Sequence, residues 1–270
     1  MLKRIIAGAV LVPVLLLVVL WAPTIITTLF VAAFAAIAVY EFLYRTKLVR
    51  QMRMLIYTMI AAIGVVLWSH FGCSRPTALL IVLLFYILLF SELMISGTKI
   101  PFARAALCMV AGLVIPYMFS SLVRILNMAN GRYYILMPFA VAFLSDTGAY
   151  FVGSFLGKTK LCPVISPKKT VEGLFGGLAA SVLGMVIYGL VLQLAFDFEI
   201  NYFFVIVYGL MGAMAGVFGD LSFSVVKRQT GIKDYGNLIP GHGGILDRFD
   251  SVIVVAPLVE ALLLLIPVVY

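Results

Sequence analysis

The residues with the most chemistry in this chain lie in one run, DLSFSVVKRQTGIKDYGNLIPGHGGILDRFDS, residues 220–251. Asp220, Ser224 and Lys227 are spaced i, i+4, i+7, which places them on one face of a helix. Lys227, Arg228, Lys233, Asp234, His242, Asp247, Arg248 and Asp250 then crowd into a connection, 227–250. Connections in compact folds are usually about 4–6 residues, and long ones tend to be functional. Carboxylates interleaved with Lys and Arg suit phosphate chemistry. Their hard oxygens hold Mg²⁺, which keeps some waters and binds substrate phosphates, while Lys and the forked Arg guanidinium neutralise the remaining charge. Gly241, Gly243 and Gly244 let the backbone approach such a ligand. Asp247 and Asp250 share a face if the helix after them starts early. His242 reads either as a general base or phosphate contact, or as a turn residue between glycines.

The elements that must position these groups are membrane spans. Of 270 residues, 64% are hydrophobic and 11% charged, the mean hydropathy is +1.18, and long apolar runs recur along the whole chain. A helix crossing the hydrocarbon core needs about 20 such residues. The expected fold class is all-α: a polytopic integral membrane protein with about nine transmembrane helices. They fall near 5–22, 24–44, 54–72, 77–98, 105–126, 133–157, 173–196, 201–226 and 251–269. With the N-terminus cytoplasmic and the C-terminus outside, every Lys and Arg except Arg75, Arg124 and Arg132 falls in a cytoplasmic segment, as the positive-inside rule requires. Residues 1–132 form the N-terminal helices, about five spans. Residues 133–270 form a C-terminal catalytic region with cytoplasmic loops 158–172 and 227–250. The net charge of +8 is then an orienting charge that attracts anionic lipid or nucleotide. It does not mark nucleic-acid binding, because no basic face with a reading helix accompanies it. Lys3 and Arg4 precede an apolar stretch as in a signal peptide, but no small-x-small cleavage pattern follows, so 5–22 reads as a retained helix. Cys73, Cys108 and Cys162 have neither disulfide-framework nor zinc spacing.

Two further polar stretches lie upstream. In SDTGAYFVGSFLGKTKL, 145–161, Asp146 sits inside a span, ~18 Å along the helix from Lys158, and reads as the wall of a cavity. Gly148, Gly153 and Gly157 permit close helix approach. In ISPKKTVEGLFGG, 165–177, Lys168, Lys169, Thr170 and Glu172 lead into a helix start that suits an anion such as phosphate. A basic loop with an N-cap is the equal alternative. A charge at the bilayer centre costs about 2.5–3.5 kcal/mol, so Asp146 and Asp220 need a partner, a wet cavity or a ligand. Glu92 and Glu260 read as structural. Glu41, four residues before Arg45, reads as its ion-pair partner on one helix face.

Taken together, residues 224–251 resemble the signature of the phosphatidate cytidylyltransferases, the CDP-diacylglycerol synthase family. That signature is Ser, two residues, Lys-Arg, four residues, Lys-Asp, then a Pro-Gly-His-Gly-Gly turn and Asp-Arg-x-Asp. Residues 145–173 are similar to the family's upstream pattern, including Ser-Pro-Lys-Lys-Thr and Glu-Gly. Ser154 departs from it: members often carry Arg after that glycine, so one phosphate contact of the family falls in question. The first 140 residues resemble the family only as hydrophobic spans. The resemblance implies Mg²⁺-dependent transfer of CMP from CTP to phosphatidic acid, giving CDP-diacylglycerol and pyrophosphate. The lipid phosphate would attack the CTP α-phosphorus in line, in a polar cavity open to the cytoplasm and to the cell (inner) membrane. It assigns Asp220 and Asp247 to Mg²⁺, with Asp146 and Asp250 as outer or second-cation ligands. It gives catalytic roles to Ser224, Lys227, Arg228, Lys233, Asp234, His242 and Arg248. Substrate binding falls to Lys168, Lys169, Thr170, Glu172, Gly241, Gly243 and Gly244. CTP, phosphatidic acid and membrane lipid are the implied partners, and a second cation and a homodimer stay open.

Two other readings compete. An ion-coupled transporter would also use intramembrane acids, but it expects two related halves, and residues 1–140 hold no repeat of the 220–251 pattern. A CTP-dependent polyprenol kinase would release CDP rather than pyrophosphate.

Overall fold

The computed structural model describes residue 13 and residues 17–97, 99–238 and 243–268. Among them, seven helices are long and apolar enough to cross a membrane: α1 (Thr24–Arg45), α2 (Met52–His70), α3 (Arg75–Ile95), α4 (Phe102–Leu126), α5 (Gly131–Leu156), α6 (Val171–Phe196) and α7 (Tyr202–Gln229). They fall on the second to eighth expected spans. An eighth helix, α8 (Leu246–Leu265), has 20 residues but carries Asp247, Arg248, Asp250 and Glu260. The expected span at 5–22 lies mostly outside the described residues. Residues 17–21 are helical and stop at a turn over Ala22 and Pro23. There the Arg132 guanidinium donates to the carbonyls of Leu20 (2.9 Å) and Ala22 (3.4 Å), which have no further helical turn to bind them.

Some of these helices, α3 above all, bury little of themselves against protein. Among its residues, α3 buries only Phe85 and Leu89, while Leu79 and Leu84 stand 70% and 58% exposed. Apolar surface on this scale belongs against lipid, and a helix satisfies its own backbone there. The chain is a helical integral membrane protein.

The helices group into two compact units. The first comprises Met1–Arg132 with Lys227–Phe249, the second Tyr133–Val226 with Asp250–Tyr270. The connection 227–250, grouped by sequence with the C-terminal half, therefore clusters almost entirely with the N-terminal helices. In this first unit α1 ends in a π-helical turn, Glu41–Arg45, and a second π turn, Val110–Val114, interrupts α4. The ring of Phe249, in the first turn of α8, lies 5.5 Å from those of both Phe34 and Phe119, which anchors the start of that helix. Glu92, read as structural, faces Arg53 at 3.8 Å.

In the second unit, α5 and α6 approach through small residues. A Cβ at Gly148 would overlap Ala180, one at Gly176 would overlap Val152, and one at Gly177 would meet the Ser145 carbonyl. The chain between these helices adds one small element to an otherwise helical fold. It is an antiparallel hairpin of β1 (Lys160–Cys162) and β2 (Ser166–Thr170), pairing Lys160 with Thr170 and Cys162 with Ser166. Strands this short leave no period-2 signal to read, and Pro163 and Pro167 mark the segment as loop.

Gly148→Leu should force α5 and α6 apart and lower the thermal midpoint in detergent by the equivalent of about 1–3 kcal/mol. At Gly64 an added Cβ would meet nothing nearer than Ile81 at 3.8 Å, so Gly64→Ala should leave the midpoint close to wild type.

Candidate functional site

The second unit holds a cavity of about 330 Å³, lined by Asp146, Tyr150, Ser154, Lys168, Lys169 and Thr170 among others. The Lys169 ammonium lies 2.5 Å from Asp220 Oδ2. That ion pair is its one polar contact among the described residues, as no hydrogen-bond acceptor accompanies it. An ammonium carries three donor protons, so Lys169 keeps donor capacity beside the cavity. The Ser224 hydroxyl donates to Asp220 Oδ1 at 3.4 Å, so two of the three residues expected on one face of α7 do meet. Lys168 is exposed.

Two residues expected to bind substrate are occupied with the backbone. Thr170 is buried and caps α6, its hydroxyl accepting from the Gly173 N–H at 3.1 Å. The Glu172 carboxylate accepts from the N–H groups of Lys158 (3.1 Å) and Thr159 (3.1 Å), which ties the entrance of the hairpin to the first turn of α6. These bonds hold the hairpin that carries Lys168 and Lys169. Ser154, standing where the family often has Arg, donates to the Phe151 carbonyl at 3.0 Å. Asp250, in this unit, is buried, and its Oδ1 accepts from the Ser251 N–H at 2.8 Å.

The first unit holds a second polar cluster, built on Asp247. One oxygen of this carboxylate accepts from Lys227 Nζ at 3.1 Å. The other accepts from the N–H groups of Tyr235 (2.8 Å) and Gly244 (2.9 Å). The Asp247 side chain is 3% exposed and that of Lys227 11%, and the ammonium sits 5.4 Å from the centre of the Tyr235 ring. Gly243 has φ +87°, a conformation that favours glycine, and a Cβ there would press on Asp247. Arg228, Lys233, Asp234 and Arg248 are exposed. Gly241 and His242 lie outside the described residues.

Glu41, at the end of α1, joins this cluster, and nothing local in the sequence marks it. Its carboxylate accepts from the N–H groups of Ile245 (3.2 Å) and Leu246 (2.8 Å), and it is 3% exposed. A Cβ on Gly236 or Gly244 would overlap that carboxylate. A Cβ at Gly243 would press on Asp247 and one at Gly244 on Glu41, so both glycines, expected to bind substrate, also make room for these carboxylates. Four residues after Glu41, Arg45 donates to Asn237 Oδ1 at 2.6 Å. Both members of the expected helical ion pair thus reach the connection.

Lysines and aspartates gathered on apolar helices suit a membrane protein whose ligands carry phosphate. Residues 2–266 match the cytidylyltransferase family, and the chain belongs to that family. Similar curated proteins are the phosphatidate cytidylyltransferases of Staphylococcus epidermidis (43% identical over 176 residues, 64% of this chain and 65% of the relative) and Staphylococcus saprophyticus (41% over 181 residues, 66% of each). That of Staphylococcus aureus is 43% identical over 176 residues, again 64% of this chain and 65% of the relative. The matched regions span just under two thirds of these relatives' own length.

Removing one member of a buried ion pair leaves an uncompensated charge, at a cost of about 3–5 kcal/mol. Lys227→Met should therefore lower the thermal midpoint sharply, whereas Lys233→Met, at an exposed position, should leave it within error of wild type. Differential scanning fluorimetry in detergent separates the two.

Proposed function

We propose that this chain is a phosphatidate cytidylyltransferase: it transfers CMP from CTP to phosphatidic acid and releases pyrophosphate. The observation that carries the reading is the cavity in the second unit, where Asp146, Lys168 and the Asp220-paired Lys169 meet in a chain that is otherwise strongly apolar. The family match and the names of the relatives supply the nucleotide and the lipid.

In this reaction an ionised oxygen of the lipid phosphate attacks the α-phosphorus of CTP. The new P–O bond forms as the bond to the β-phosphate oxygen breaks, and pyrophosphate departs with that electron pair. The nucleophile is already an anion at neutral pH, so no strong base is needed, and the difficulty is bringing two anions together. Lys168 and Lys169 bind and screen the phosphates, and Ser224 holds Asp220 in register. The exposed Lys233, Arg228 and Arg248 are the candidate cations of the first unit.

Mg²⁺ fits the donor set on chemical grounds. Among the described residues no three His, Cys, Asp or Glu side chains gather into a metal group, which excludes a closed protein cage there. Mg²⁺ is usually held by one or two carboxylates together with substrate phosphates and water. Asp146, on the cavity wall, and Asp220, paired to its lysine, are the carboxylates we assign to it. Asp247 accepts three N–H and ammonium donors and its side chain is 3% exposed, against 25% for Asp220, so we assign Asp247 to holding the connection in shape. Bound there, Mg²⁺ would neutralise charge on the triphosphate. We further propose nine membrane crossings, including α8 and residues 5–22, with the N-terminus and the site on the cytoplasmic side of the cell membrane.

Purified protein incubated with α-labelled CTP, phosphatidic acid and Mg²⁺ should yield a labelled liponucleotide and an equal amount of pyrophosphate. EDTA should abolish both, and Asp220→Asn and Lys169→Met should each lower turnover by at least about tenfold. Release of labelled CDP would mark a kinase instead, and no labelled lipid at all would end the proposal.

A further inference from the structure

We infer that Glu41 is a positioning residue for the signature connection: it fixes the Gly243–Leu246 turn and so sets where Asp247 and Lys227 stand. The catalytic part of this inference rests on the reaction proposed above, and the structural part does not.

Three observations within the first unit converge on it. The first is what Glu41 binds. The opening N–H groups of a helix have no partner inside it, and here those of Ile245 and Leu246 are buried and donate to one carboxylate. The neighbouring N–H, Gly244, goes to Asp247. Two carboxylates thus take three successive amides, which leaves these amides no capacity for a phosphate. An anion that approaches the connection must be held by its side-chain cations.

The second is the absence of side chains around it. Gly236 and Gly244 both lie where a Cβ would overlap the Glu41 carboxylate. Two glycines eight positions apart are therefore required by a residue about 200 positions earlier in the chain. The third is the π turn Glu41–Arg45. The i→i+5 bonding of such a turn interrupts the α-helical register, and such turns recur at functional positions. Here Glu41 and Arg45 both reach the connection, Arg45 through Asn237.

Asp247 is the second residue of α8, directly after the amides that Glu41 holds. A loosened turn would shift it together with the Lys227 ammonium bound to it. Arg248 follows Asp247 and Arg228 follows Lys227 in the chain, so the candidate cations would move with this pair, and a misplacement of about 1 Å in a catalytic arrangement can cost on the order of a hundredfold.

The test is Glu41→Gln in the full-length protein in detergent, read by hydrogen–deuterium exchange and by kinetics. The expected result is faster exchange confined to amides around 244–246, with kcat per folded molecule down about tenfold or more and KM for CTP within about twofold. A merely structural role would lower the folded fraction and leave kcat per folded molecule at the wild-type value, and that result overturns the inference, as does unchanged exchange. If Glu41→Gln fails to fold, Gly236→Ala crowds the same carboxylate while keeping its charge, and unchanged exchange at 244–246 in that variant is likewise decisive against it. Should the wild-type protein make no liponucleotide, the proposed reaction fails by itself, and the exchange measurements still decide what Glu41 holds.

Discussion

A backbone N–H that leaves a helix inside a lipid-facing protein has no water to turn to, and it must find an acceptor. In this chain carboxylates supply such an acceptor at three places near the polar clusters, two of them buried or part-buried and the third, at the exposed entrance of the hairpin, holding its shape. Glu41 takes Ile245 and Leu246, Asp247 takes Tyr235 and Gly244, and Glu172 takes Lys158 and Thr159. Each serves two amides, and a charged acceptor binds more strongly than a neutral one. The hairpin with its lysines and the turn before α8 both hang on these bonds. Among only 11 acidic residues, three are used in this way.

The constraint sorts the two clusters by what remains available. Asp247 accepts from an ammonium and two amides and is almost without solvent contact, so its pairing with Lys227 is closed and serves the architecture. Breaking such a pair is costly even where forming it gained little. The Lys169–Asp220 pair is the opposite case. Its side chains are 23% and 25% exposed, the lysine has no second partner among the described residues, and a cavity lies beside it. On the proposed reaction, the saturated pair holds shape and the pair with spare donor capacity beside a cavity meets the ligand.

Which features were legible in the sequence follows from the range of the physics involved. The second to eighth spans could be placed because hydrocarbon thickness is a local ruler, about 20 residues long. The cations and carboxylates of residues 220–250 were legible because they are close in sequence. The hairpin was not, since strands of three and five residues carry no period. Glu41 was not, because its partners lie 204 and 205 positions away and the i, i+4 relation to Arg45 offered a sufficient local account. The glycines show the limit most clearly. That Gly243 and Gly244 must lack side chains could be read, but not that two protein carboxylates, Asp247 and Glu41, need the space.

That requirement bears on how a signature of this kind is read. A pattern of Gly, Asp and Arg beside a helix start looks like a list of ligand contacts, yet much of it here is internal bookkeeping of hydrogen bonds. Asp247 already accepts three donors and its side chain is 3% exposed, so a cation there would compete with the bonds that shape the connection. Asp220 is more open: its side chain is 25% exposed, one oxygen meets Lys169 and the other accepts only a long bond of 3.4 Å from Ser224, and Asp146 lines the cavity nearby. On the proposed reaction, the substrate's own phosphates complete the coordination that two carboxylates begin. The protein then needs to supply only rigid placement, and the carboxylates bound to backbone provide it.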